Sequence, residues 1–263
     1  MRLIIRGHSR SGTTITRNIL SSLNSVMLTN EFRTYDSLSS YKSALSYFKT
    51  LSIKCKSGRT MQRVRKRDPD QFIRDCVEAL GDPSCQDKRL WVQAVEGVLF
   101  PGAHRIIGDK TDLKYANTKN LPSFKDGCKH IFIYRDGRDC VASGFRHFKQ
   151  GMSRSSWATD NITEMSNLWA ESFSYMDSLK DELPLGDYLT IRFEDYKDHP
   201  AKLADRIGPF LHIKPRNVLY RILSHFEEGA SHTGYYNKLV PKWESQFSEK
   251  AMQKLLELDY ING

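Results

Sequence analysis

Hydrophobic residues in this chain form short continuous runs that alternate with longer amphipathic stretches. The short runs predict buried strands, because they hold consecutive apolar residues and are too short for helices. They lie at residues 3–5, 26–28, 105–107, 130–134 and 188–191. Between them, apolar residues recur at the spacing of a helix face. The helices predicted in this way cover residues 13–23, 38–51, 69–80, 87–99, 136–148, 161–183, 200–211, 215–226 and 248–256.

Strands that alternate with helices predict a parallel sheet with helices on both faces. We therefore expect an α/β fold of three layers. No repeat, low-complexity tract or linker divides the sequence, so residues 1–263 are expected to form a single domain. Ligands of such sheets bind beyond the carboxyl ends of the strands. Two polar loops follow the first and fourth predicted strands. Both loops therefore lie at the carboxyl ends of the strands, where we expect the binding site.

The first loop reads GHSRSGTT and occupies residues 7–14. Its glycine spacing matches the phosphate-binding pattern GxxxxGK[ST], but Thr13 stands at the lysine position. Backbone N–H groups of such a turn and the N-terminus of the following helix form an anion site. The absent lysine argues against a kinase or triphosphate hydrolase and favours a nucleotide whose 5′-phosphate carries another transferable group. The candidate ligands in the loop are Arg10, Ser11, Gly12, Thr13 and Thr14.

The second loop begins at the end of the fourth predicted strand, in the stretch YRDGRDCVASGF. Arg135 comes directly after the strand, and Ser143 lies about two turns along the helix that follows. This pair is suited to a second phosphate, separate from the first. The alternative is a local ion pair of Arg135 with Asp136 or Asp139 that caps the helix.

The overall charge favours a polyanionic ligand. The formal net charge is +9, and the isoelectric point is about 9.2. Seven basic residues and no acidic one fall within residues 54–67, which predicts either a solvated loop or a groove for an acidic acceptor. No apolar run is long enough for a membrane span. The five cysteines form no CxxC pair, so we expect reduced thiols and a cytoplasmic protein.

Together the two loops resemble those of the sulfotransferases that use 3′-phosphoadenosine 5′-phosphosulfate (PAPS). That family binds the 5′-phosphosulfate with a loop like SRSGTT, although Ser9 replaces its usual proline. It binds the 3′-phosphate with an arginine and a serine spaced like Arg135 and Ser143. The resemblance extends in order over nearly the whole chain and implies the family's α/β fold.

The sequence is most similar to the branch with a glutamate base, which includes tyrosylprotein and bacterial carbohydrate sulfotransferases. By this resemblance Glu31, in TNEFR, is the general base. Lys110, in GDKTDL, and Arg10 are the cations that stabilise the transition state. Lys242 and Trp243 match a segment that covers the nucleotide.

The resemblance implies transfer of a sulfuryl group from PAPS to an acceptor hydroxyl, with adenosine 3′,5′-bisphosphate (PAP) as product and without a metal. It also puts Phe193 against the adenine. The acceptor is open among a carbohydrate, a lipid-linked, a small-molecule and a tyrosine hydroxyl, including acidic acceptors; nucleic acid is not expected, and the oligomeric state is unknown. Two other functions remain open: a P-loop kinase that uses ATP, and a non-enzymatic binder of polyanions.

Overall fold

The computed structural model describes residues 1–30, 104–113, 127–151, 158–227 and 242–261, with isolated residues from 46 to 102 and at 236 and 240. The strands of this part are β1 (Arg2–Gly7), β2 (Val26–Asn30), β3 (Ile106–Asp112), β4 (Cys128–Tyr134) and β5 (Tyr188–Arg192). The α-helices are α1 (Thr13–Ser21), α2 (Gly137–Lys149), α3 (Ile162–Asp181), α4 (Asp195–Asp198), α5 (Pro200–Phe210), α6 (Pro215–Glu227) and α7 (Glu249–Glu257), and a 3₁₀ turn spans Trp243–Ser245.

The five strands form one parallel sheet in the order β2-β3-β1-β4-β5. This confirms the predicted α/β architecture. Each strand and helix predicted within the long described ranges is present, with ends shifted by at most five residues. The helices predicted at residues 38–51, 69–80 and 87–99 lie outside the described ranges, apart from isolated residues.

A separate hydrophobic core covers each face of the sheet. On one face α1, α5 and α6 pack against alternating strand residues such as Leu3 and Ile5. On the other face α2, α3 and α7 pack around Phe132, Trp169 and Phe173. β1 lies at the centre between β3 and β4, so the loop that leaves β1 is held between the ends of its neighbours.

The third strand is longer than the sequence indicated. We expected a strand at 105–107 and a turn at Gly108–Lys110, but β3 continues through these residues to Asp112. Gly108 lies beside β1, where a Cβ atom would come within 1.7 Å of the Leu3 carbonyl oxygen. The glycine therefore permits a close approach of two strands and does not make a turn. As a consequence Lys110 lies inside a strand.

Candidate active site

The two predicted phosphate loops touch each other. They follow β1 and β4, which are neighbours in the sheet, and so they leave the same edge side by side. Arg135 Nη1 donates a hydrogen bond to the Arg10 carbonyl oxygen at 2.9 Å. Arg10 Nε donates to Ser143 Oγ at 3.0 Å. Three residues predicted as phosphate ligands from distant parts of the sequence thus meet at one place.

The first loop has the backbone conformation of an anion-binding turn. Arg10 and Gly12 both have left-handed backbones, with φ of 72° and 99°, and the Ser11 N–H donates to the His8 carbonyl. Left-handed residues in a tight turn direct successive N–H groups into one concavity. Gly12 precedes the first residue of α1, so the positive end of the helix adds to the same concavity.

The hydroxyl side chains of this loop differ in exposure. Ser11 and Thr13 are buried, whereas Thr14 is exposed. The buried Ser11 Oγ has no hydrogen-bond partner among the described residues. A buried hydroxyl of this kind is usually paired, and so it can donate to a ligand in the loop.

The second loop is held by its own helix cap. Asp136 accepts a hydrogen bond from the Arg138 backbone N–H at 2.9 Å and forms an ion pair with the Arg138 guanidinium. Of the two local ion pairs considered for Arg135, the one with Asp136 is made by Arg138 instead, whereas the one with Asp139 is present. Arg135 lies 3.8 Å from Asp139 and is directed towards the first loop. Its backbone oxygen accepts a hydrogen bond from the Trp169 indole N–H at 3.3 Å.

The Phe193 ring packs against both loops. It packs so closely on Gly12 that a Cβ atom there would lie 2.2 Å from the ring. The Arg135 guanidinium stacks over the same ring, 4.5 Å from its centroid. Only 3% of Phe193 is exposed, so the ring holds the loops in place and presents no open face to an adenine. The expected contact between Phe193 and the adenine is therefore wrong for this arrangement.

Lys110 is fully buried near the carboxyl end of β3. It is 1% exposed, and its Cα pairs with Ile5 of β1 and with Asn30 of β2. The adjacent Asp109 accepts a hydrogen bond from the Thr29 hydroxyl at 2.5 Å, which joins β2 to β3 at this level. Glu31, the predicted base, follows Asn30 in the sequence and lies outside the described residues.

The predicted covering segment near the C-terminus contacts the second loop through Arg138. Lys242 is exposed, with a left-handed backbone, and Trp243 is buried. Trp243 packs against Phe247, and the Arg138 guanidinium lies 5.0 Å from its ring. The segment is thus attached to the first turn of α2, which carries Asp136 at its N-cap.

Several residues that support the site were not predicted from any sequence motif. His8 Nδ1 lies 2.9 Å from Ser172 Oγ, which joins the first loop to α3. Glu194 accepts hydrogen bonds from the Asp136 backbone N–H and the Tyr260 hydroxyl. Burial, followed by the Asp136 charge, raises the pKa of the Glu194 carboxyl. Sequence reasoning missed these contacts, since each joins residues far apart in the chain.

The described ranges hold neither a candidate metal site nor a candidate membrane span. No group of three or more His, Cys, Asp or Glu side chains there is arranged to hold a metal ion. Within the same residues, no helix is both long and apolar enough to cross a membrane.

Comparison with known proteins points to one family. The family model described as "Sulfotransferase family" matches residues 2–217. The sulfotransferase domain of the olefin synthase of Synechococcus PCC 7002 has a similar structure, with a TM-score of 0.64 and 16% identity, over 100% of this chain and 96% of that one. The sulfotransferase domain from the curacin biosynthetic pathway has a TM-score of 0.60 and 15% identity, over 99% and 98%.

A third similar structure is the sulfotransferase STF9 from Mycobacterium avium, with a TM-score of 0.54 and 12% identity, over 99% of this chain and 76% of that one. At these identities the likeness shows the fold. No curated protein sequence is similar enough to this chain to count as a match.

Proposed function

Because the chain belongs to the sulfotransferase family, as the match over residues 2–217 shows, we propose that it transfers the sulfuryl group of PAPS to an acceptor hydroxyl. The products are an O-sulfated acceptor and PAP. The observation that carries this proposal is the contact between the two loops, in which Arg10 joins Arg135 and Ser143. Two adjacent anion sites suit a nucleotide with phosphate on both sides of its ribose.

The first loop would hold the 5′-phosphosulfate. Its left-handed turn supplies backbone N–H groups, and α1 supplies the positive end of a helix. Ser11, Thr13 and Thr14 would add hydroxyl donors. Arg135 and Ser143 would hold the 3′-phosphate, for which a buried guanidinium already fixed in orientation is well suited. Lys242 and Trp243 would close the site over the nucleotide.

Sulfuryl transfer resembles phosphoryl transfer, where positioning and charge stabilisation supply most of the catalysis. PAPS supplies the transferable sulfuryl group. We assign Glu31 the role of general base, which takes the acceptor proton. Lys110 and Arg10 stabilise the negative charge that grows on the leaving phosphate oxygen. The burial of Lys110 strengthens its effect, since charges interact more strongly away from water. These cations replace magnesium, so no metal is required.

The acceptor is defined here only as a hydroxyl. Carbohydrate, lipid-linked, small-molecule and tyrosine hydroxyls remain candidates, and the basic residues 54–67, which favour an acidic acceptor, lie outside the described residues. We also propose a cytoplasmic location. Cys140 is a free, buried thiol, as expected in a reducing compartment.

The test is a transfer assay with isotopically labelled PAPS and a panel of acceptors from these four classes. We expect labelled product without added metal, and we expect PAP to raise the melting temperature more than ATP with magnesium does. Glu31→Gln keeps the size of the side chain but removes the base. This variant should lose turnover by a factor of about 100 or more while it still binds PAP.

Two results would contradict the proposal. Stabilisation by ATP with magnesium but not by PAP would indicate a kinase. Binding that shows no nucleotide preference and weakens steeply with salt would indicate a general polyanion binder. A Glu31→Gln enzyme with full activity would leave the donor assignment intact but would remove Glu31 as the base.

A further inference from the structure

A basic patch on α2 continues from Ser143 towards the end of the helix. Arg146 and His147 lie three and four residues after Ser143, which puts all three on one side of the helix. Arg10 reaches this side from the first loop and donates to Ser143 Oγ at 3.0 Å. The patch therefore combines one hydroxyl, two guanidinium groups and one imidazole. No sequence motif assigns a role to His147.

Burial and two neighbouring positive charges lower the pKa of His147. Partial burial is the main cause that lowers the pKa of His147, and the positive charges of Arg10 and Arg146 lower it further. Among the described residues, these two arginines are the charged groups that act on the ring. Arg10 is held on Ser143, one helical turn away. The imidazole thus lies in a positive field that a bound anion would reverse.

We propose that Ser143, His147 and Arg10 form one subsite for the dianionic 3′-phosphate, and that His147 takes up a proton from solvent when this phosphate binds. The inference rests on the proposed function, since it assumes a donor with a 3′-phosphate. It gives Arg10 contact with that phosphate in addition to its place in the first loop. Arg135 contacts the same residue at its backbone, since Arg135 Nη1 donates to the Arg10 carbonyl.

The proton uptake follows from the charges. A phosphate dianion beside His147 offsets the two arginines and favours the imidazolium form. The pKa of His147 is then higher in the complex than in the free protein. PAP affinity should therefore rise as the pH falls through the pKa of the complex, and should level off below the pKa of the free protein. A nucleotide without the 3′-phosphate should show no such effect.

The experiment is titration calorimetry of PAP and of AMP, in buffers that differ in ionisation enthalpy, between pH 5.5 and 8. We expect the wild type to take up protons with PAP and not with AMP. His147→Gln should bind PAP about tenfold more weakly at the acid end, because a charge-assisted hydrogen bond is lost. His147→Lys carries a permanent charge and should bind PAP tightly without this uptake. The phosphate itself titrates near pH 6, so the difference between wild type and variants isolates the imidazole.

The possible failures are distinguishable. Tight PAP binding with the same proton uptake in wild type and His147→Gln would overturn the role of His147 and leave the proposed function standing. Equal losses of PAP and AMP affinity in Arg10→Ala would exclude Arg10 from the 3′-phosphate subsite. A wild type that binds neither nucleotide would overturn the proposed donor and this inference with it.

Discussion

Arg135 is the side chain on which the two loops depend. Its Nη1 atom holds the Arg10 carbonyl, its guanidinium rests on Phe193, and its own carbonyl accepts the Trp169 indole N–H. Only 8% of the residue is exposed. A guanidinium fixed in this way loses little rotational freedom when it binds a phosphate, and this favours affinity.

We predict that Arg135→Ala lowers PAP affinity by about 10- to 100-fold, since one or two charge-assisted hydrogen bonds are lost. AMP affinity should fall less, through the loosened first loop alone. Calorimetry with both nucleotides measures the two effects. Arg206→Ala is the matched control, because Arg206 lies on α5, donates to the Thr190 carbonyl of β5 and should not affect binding. Unchanged PAP affinity in Arg135→Ala would contradict the assignment of the 3′-phosphate site.

At this scale the sequence indicates candidate ligands, whose roles stay predictions, but not the residues that support them. Arg10, Arg135 and Ser143 could be found because each belongs to a short stretch with a fixed spacing after a strand. Phe193 was assigned to the adenine because the motif gives its type but not the direction of its ring. Its contact with Gly12 depends on how β5 approaches the first loop, which local spacing does not encode.

At the scale of elements, β3 shows where local sequence signals mislead. The stretch GDK has the composition of a turn, and we predicted one. A glycine is needed at position 108 because the Leu3 carbonyl of β1 leaves no room for a side chain. The local sequence does not distinguish a glycine in a turn from a glycine at a close contact between strands. The apolar runs at β1 and β4 were predicted correctly, because continuous burial leaves a direct trace in the sequence.

We predict that Gly108→Ala lowers the free energy of unfolding by about 3 kcal/mol or more. Overpacking typically costs about 1–3 kcal/mol, and here the new methyl group meets rigid backbone. Urea unfolding, followed by circular dichroism, measures the loss. Gly97→Ala is the matched control: Gly97 is helical, and apart from its own helix and chain neighbours no heavy atom of the described residues lies within 4 Å of an added Cβ. The control should be neutral or gain about 0.5–1 kcal/mol. Equal stability of the two variants would contradict the close contact at Gly108.

At the scale of the whole molecule, the strand order determines which candidate site residues lie side by side. The alternation of strands and helices predicted a parallel sheet, but it does not encode the order β2-β3-β1-β4-β5. This order puts the end of β1 between those of β3 and β4, so the first loop leaves the sheet between the strand that carries Lys110 and the strand that precedes Arg135. The formation of a single domain by residues 1–263 stays a prediction.

The sheet also carries a buried histidine that links stability to pH. His130 on β4 is 5% exposed, and neither ring nitrogen has a hydrogen-bond partner among the described residues. Burial is the main cause that lowers the pKa of His130 to about 3, and the Arg6 charge contributes. The unfolded chain binds a proton below about pH 6.5, whereas the folded protein binds none until about pH 3. Stability from this residue is therefore complete above the unfolded pKa and is lost as the pH falls towards the folded pKa.

We predict that His130 alone lowers the free energy of unfolding by about 2 kcal/mol between pH 7 and pH 5, at about 1.4 kcal/mol per pH unit below the unfolded pKa. His130→Leu removes the titrating group, so the variant should lose less stability over this interval than the wild type. Any change in packing against Phe132 acts at both pH values and cancels in the comparison. Urea unfolding of both proteins at pH 7 and pH 5 measures the difference. The same loss in both proteins would mean that His130 gains its proton in the folded state, and therefore that water or an acidic partner reaches the ring between β4 and its helices.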